Sequence, residues 1–117
     1  MRIAVLEKEG RVLPRCEGGA QVAIVDIDQL THTVQQSAFL TPPQATGALG
    51  DWLRRQEVEV VLASGLGRQD LDLLEQRGIQ VIVGVPPFRV ESVIANFLAG
   101  TLPTGANACE QTTEGQE

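Results

Sequence analysis

Residues 57–84, EVEVVLASGLGRQDLDLLEQRGIQVIVG, constrain the fold more than any other part of the chain. An apolar run at Glu57–Ser64 stops at two glycines. A helical rhythm over Gln69–Arg77 follows, with Leu71, Leu73 and Leu74 inward, and Gly78 ends it. A second apolar run begins at once, Ile79–Val83. Strand, helix and strand joined by short turns make a right-handed crossover between parallel strands. Parallel strands need cover on both faces, so the rest of the chain must supply a second layer.

Arg2–Leu6 is another nearly continuous apolar run, and Glu7–Gly19, with Gly10, Pro14, Gly18 and Gly19, reads as a loop. Gln21–Ile27 and Thr33–Phe39 are strands separated by a gap short enough for a hairpin, hence antiparallel. Ala48–Gln56 carries Leu49, Trp52 and Leu53 on one helical stripe, and Val90–Ala99 carries Val90, Val93, Ile94 and Phe97. The predicted order is βββαβαβα. It gives an α/β fold with a mixed five-stranded sheet in the spatial order 3-2-1-4-5, counted along the chain, flanked by helices. One domain spans 1–102, and 103–117 reads as a flexible tail.

Composition removes several function classes. The chain has 117 residues and a formal net charge of −6, so it lacks the basic surface that nucleic acid needs. No apolar run approaches the roughly 18 residues of a membrane span. MRIAVLEKEG is too short and too soon acidic for a secretory leader, and the expected address is cytoplasmic. The two cysteines, Cys16 and Cys109, form no CxxC pair and read as free thiols or metal ligands.

The topology brings four loops to the carboxyl edge of the parallel strands, where α/β sheets bind ligands. They are Glu7–Gly19, Leu40–Gly47, Ser64–Arg68 and Gly84–Phe88. Arg15, Cys16, Ser64, Arg68 and Arg89 lie on or beside them, and three arginines on an acidic chain point to an anion. Gly65 and Gly67 have two readings. One is a turn that needs glycine for its dihedrals. The other is a backbone that a ligand approaches closely, at the positive end of a helix. The G-x-G spacing matches neither a dinucleotide fingerprint nor a P-loop. Asp26, Asp28 and His32 fall at the opposite edge as solvated turn residues, and Trp52 reads as core. No nucleophile–histidine arrangement can be built around His32, the sole histidine. The first and fourth strands show no interior acid for a two-metal nuclease, with Glu7 and Glu57 only at or beyond their ends.

Three blocks, MRIAV…GRVLPRCEGGAQVAIVDID, VEVVLASGLGRQDLDLLEQRGIQVIVG and SVIANFLAGTLPTGANACE, resemble in order the dinitrogenase iron–molybdenum cofactor biosynthesis family. That family comprises NifX-like proteins and the C-terminal domain of NifB-like proteins, and the resemblance covers about residues 1–110. It implies a three-layer ribonuclease H-like fold and a non-enzymatic carrier of an iron–sulfur cluster or iron–molybdenum cofactor precursor. It also implies metallocofactor assembly proteins as partners. The chain itself is expected to be a monomer or weak homodimer. Such clusters are anionic and held by thiolate or imidazole. Arg15, Cys16, Ser64, Gly65, Gly67 and Arg68 would bind the cofactor, with Cys16 and Cys109 as metal ligands. Where many members have S-x-H-F-G, this chain has Arg15-Cys16-Glu17-Gly18, which puts Cys16 at the usual histidine. The usual His-Gly before the first helix is Thr46-Gly47, and the terminal G-x-N-x-C-x-H keeps Gly105, Asn107 and Cys109 but has Gln111. A docking module of the same pathway that binds no metal is the alternative. An enzyme acting on a small anion is the weaker third reading, since no general base is evident at that edge.

Overall fold

The structure, a computed structural model, describes residues 1–13, 21–28, 30–43 and 48–105. Its elements are β1 (Arg2–Lys8), β2 (Arg11–Val12), β3 (Gln21–Asp28), β4 (Thr33–Leu40), α1 (Ala48–Arg55), β5 (Val60–Leu62), α2 (Arg68–Gln76), β6 (Gln80–Ile82) and α3 (Val90–Ala99). They form a mixed sheet along the path β4-β3-β1-β5-β6, with β2 paired to β1 off that path. β1, β5 and β6 are parallel, β3 runs against β1, and β4 runs against β3.

Alternation along β1 sets the layers. Ile3 and Val5 join Val25, Leu62 and the α3 residues Val90, Val93 and Ile94 in one apolar cluster. Ala4 and Leu6 join Val22, Val61, Leu53 from α1 and Leu74 from α2 in another. Helices therefore cover both faces of the central strands. Each fully buried side chain such as Ile3 or Leu62 contributes roughly 2 kcal/mol of transfer free energy.

The sheet has six strands, not the expected five, because the expected loop Glu7–Gly19 opens as a hairpin. Glu7 pairs with Val12 and Lys8 with Arg11. Glu9 and Gly10 both have positive φ, 56° and 84°, the backbone that a two-residue hairpin turn demands. The Val12 N–H donates to the Phe88 carbonyl and the Val90 N–H to that of Gly10, each at 3.0 Å. The hairpin is thereby fastened to the approach of α3. The strand expected over Glu57–Ser64 shortens to Val60–Leu62, since Glu57 (φ 62°) still belongs to the turn leaving α1.

Asp28 is a turn acid, as expected, and its Oδ1 accepts the Leu30 and Thr31 N–H groups. Asp26, within the strand as expected, is not the solvated acid of the sequence reading: it pairs with Arg2 through both carboxylate oxygens, Nε–Oδ1 at 2.6 Å and an Nη2–Oδ2 bond at 3.1 Å. Arg2 also donates to the Gln56 carbonyl at 2.5 Å, so one side chain ties β1, β3 and the end of α1.

The Arg2 hydrogen bond holds the Asp26 carboxyl below its usual pKa. A depressed carboxylate contributes stability that is present above the ordinary aspartate pKa and lost as pH falls through the lowered value. The pair lies near the surface, so Asp26→Asn should cost up to about 1 kcal/mol at pH 7. That gap should close as pH drops below about 4. Urea unfolding of parent and variant across this range checks both the size and the direction.

Candidate functional site

The carboxyl edge is built around one residue. Ser64, buried just beyond β5, donates its hydroxyl to the Leu13 carbonyl. Its own carbonyl accepts the Gly84 N–H at 2.9 Å, and the Gly84 carbonyl accepts the Gly105 N–H at 2.9 Å. Chain from after β2, after β6 and after α3 thus converges on the end of β5. The hydroxyl of Ser64 is engaged within this frame, and Gly65 beside it is buried.

Gly67 caps α2 with φ −61° and ψ 151°, an extended conformation open to any residue. The reading that glycine is needed there for its dihedrals is therefore wrong. A Cβ built at Gly67 would meet nothing within 4 Å. Among the described residues nothing requires the position to be small. The cap makes no side-chain hydrogen bond to the helix, whose first backbone bond runs from the Leu71 N–H to the Gly67 carbonyl at 3.0 Å. Arg68, exposed, begins the helix. Gly84 is the opposite case. It has φ +72°, and a Cβ there would fall 2.1 Å from the Gly105 oxygen.

The edge carries more positive charge than the sequence disclosed. Lys8 faces Arg11 across the hairpin, and Arg11 bridges to Arg89 at the start of α3. Lys8 continues the alternation of Ala4 and Leu6, the face on which α2 packs. Among the described residues neither Arg11 nor Arg89 forms an ion pair. Arg11 was missed because its segment read as loop. The signal available was the Glu9-Gly10 pair, a two-residue turn between Leu6–Lys8 and Arg11–Leu13.

Glu7 is a further correction. It lies inside β1 rather than at its end, is 2% exposed, and accepts the Gly10 N–H at 3.0 Å. That bond braces the hairpin turn. A single carboxylate makes no two-metal site, and the described residues include no group of three or more His, Cys, Asp or Glu that could hold a metal. Arg15, Cys16 and Cys109 lie outside the described residues, as do Glu17, Gly18, Thr46, Gly47, Asn107 and Gln111. The described ends nearest the two thiols, Leu13 and Gly105, are those bonded to Ser64 and Gly84. Asp28 and His32 sit at the β3–β4 turn, at the other end of the sheet.

The comparisons agree with this architecture. The family model described as dinitrogenase iron-molybdenum cofactor matches residues 1–100, and the chain belongs to that family. The crystal structure of PH0822 superposes with a TM-score of 0.79 at 25% identity, over 89% of this chain and 94% of that one. The apo orange protein of Desulfovibrio gigas gives 0.68 at 23% identity, over 91% and 93%. The mj0327 protein of Methanocaldococcus jannaschii gives 0.72 at 15%, over 92% and 96%. No curated protein matches.

The two glycines should behave differently on substitution. Gly84→Ala combines left-handed strain with a backbone collision and should cost about 1–3 kcal/mol. It should also expose the Gly105 amide to solvent exchange. Gly67→Val, in open space with ordinary dihedrals, should cost less than about 1 kcal/mol, its main penalty being a poorer cap. Thermal unfolding with amide exchange measures both.

Proposed function

We propose that this chain is a non-enzymatic carrier which holds an anionic iron–sulfur cluster or iron–molybdenum cofactor precursor at the carboxyl edge of its ribonuclease H-like sheet. The observation that carries the reading is Gly67. α2 starts at a glycine cap with ordinary dihedrals, and no described atom stands within 4 Å of where its Cβ would be. Helix N-termini attract anions through unpaired N–H groups and the helix dipole. Membership in the cofactor family supplies the class of anion.

In this reading the backbone around Gly65–Gly67 and the cations Arg15 and Arg68 contact the sulfide faces of the cargo. Cys16 ligates iron, with Cys109 as a second ligand. Thiolate is the form that binds metal, and an adjacent arginine favours it. Both thiols belong to segments whose described ends are bonded at the end of β5, which gives a structural reason for them to act together. The cargo is loaded and handed on, so the partners are metallocofactor assembly proteins and the setting is cytoplasmic. The edge needs no general base for this task.

The test is iron content and visible absorption after anaerobic reconstitution with iron and sulfide. Cys16→Ser should lose most of the bound iron, and Cys109→Ser should lose part of it. Gly67→Val should load poorly while keeping its thermal midpoint. If the double cysteine variant loads as well as the parent, thiol ligation is wrong. A parent that takes up no iron would favour a docking module.

A further inference from the structure

Among the described residues β4 is largely uncovered on both faces and along its outer edge. Seven of its eight residues are exposed. α3 packs over β1, β3 and β5 on one face, and α1 and α2 pack on the other. β4 also ends the path of the sheet, with only β3 beside it among the described strands. Its sequence, TVQQSAFL, contains no charge, proline or glycine, the devices by which natural sheets block pairing at an edge. A groove of about 320 Å³ runs between β4 and α3, with Val34, Phe39, Ile94 and Leu98 among its walls. Val34 is 54% and Phe39 59% exposed.

The register shows what fits this edge. Val34 and Phe39 are five positions apart, so in a regular strand they would face opposite ways. The irregularity between Asp26 and Ile27 leaves Gln35 as an extra residue, since Asp26 pairs with Gln36 and Ile27 with Val34. Val34 thereby turns to the groove side with Ser37 and Phe39. An antiparallel copy of β4 centred on Ser37 then matches in side-chain facing along its whole length. Ser37 meets Ser37, Gln36 meets Ala38, and, with Gln35 again as the extra residue, Val34 meets Phe39. Both apolar side chains of each copy are covered by those of the other, on the groove side.

We propose that β4 is a dimerisation edge whose occupant is a second copy of this chain, paired antiparallel about a two-fold axis through Ser37. The uncharged strand lets two molecules of net charge −6 meet without like charges at the seam. The same axis carries His32 of each copy toward the end of the groove that holds Glu91 of the other, so each end is lined by a histidine and a carboxylate rather than by two carboxylates. The C-terminal residues 106–117, ANACEQTTEGQE, are a poor filler, with three carboxylates and nothing larger than cysteine to offer apolar walls. Cross-strand apolar pairs repeated by symmetry, together with new backbone bonds, are the stabilising contacts. The seam is short, so association depends on concentration.

Sedimentation equilibrium of the full chain under reductant tests the dimer. A monomer–dimer equilibrium is expected, and Phe39→Lys should raise its Kd about tenfold or more with the circular dichroism unchanged. Val34→Lys should do the same, and decides the matter if the first variant fails to fold. In a Cys16→Ser/Cys109→Ser background, Ser37→Cys should form a disulfide-linked dimer under mild oxidation, and Thr33→Cys should not. A parent that stays monomeric at the highest attainable concentration overturns the proposal. So does a dimer that neither lysine variant weakens, or one in which Thr33→Cys links and Ser37→Cys does not.

Discussion

Burial of β1 on both faces is the constraint from which the rest of the molecule follows. Ile3, Ala4 and Val5 are fully buried although successive side chains point to opposite sides. No single apolar layer can satisfy such a strand. Helices on both sides can, and the crossover over residues 57–84 delivers α2 to one face while α3 returns across the other. Once the faces are covered, only the ends and edges of the sheet remain for chemistry. The end where Arg2 is paired with Asp26 and Gln56 is closed by its own hydrogen bonds. At the carboxyl end stand the Ser64–Gly84–Gly105 bonds and the start of α2.

That carboxyl end combines rigidity and openness in adjacent residues. Ser64, Gly84 and Gly105 form a short relay of hydrogen bonds in which both main chain and hydroxyl are used. Gly84 accepts left-handed dihedrals so that the Gly105 backbone can come close. Three residues beyond Ser64, Gly67 makes no such demand. Anchors with satisfied hydrogen bonds hold the frame, while the neighbouring helix cap is left with ordinary dihedrals and space around it among the described residues.

The layered sheet was legible in the sequence because its signals are strong and redundant. Continuous apolar runs, short turns and helical stripes all require the same crossovers. The β1–β2 hairpin was not, because glycine and proline over residues 10–19 outweigh a strand of only two residues. With the hairpin went Arg11, which reaches Arg89 only through that pairing. Glu7 was placed at a strand end because an acid is a poor omen for a buried strand. Its hydrogen bond from the Gly10 amide is what makes the position tolerable. Gly67 and Gly84 look alike in sequence, and only their dihedrals separate an open position from a crowded one. Sequence periodicity carries no information of that kind.

The bulge in β4 shows how a local irregularity can redirect a surface. Counted along the chain, Val34 falls on one face with Ala38 and Leu40, and Phe39 on the other. One extra residue at Gln35 brings both to the side of α3, beyond the reach of the helix itself. Apolar area is then concentrated on a single uncovered face, beside an unpaired row of backbone donors and acceptors. The cost of leaving such a strip in water grows with its continuity, whereas the same groups scattered over two faces would be unexceptional. The edge that the core does not need thus acquires a preference for a partner strand. It lies along the flank of the sheet, whereas the start of α2 lies at its carboxyl end, so pairing at β4 would leave that end accessible.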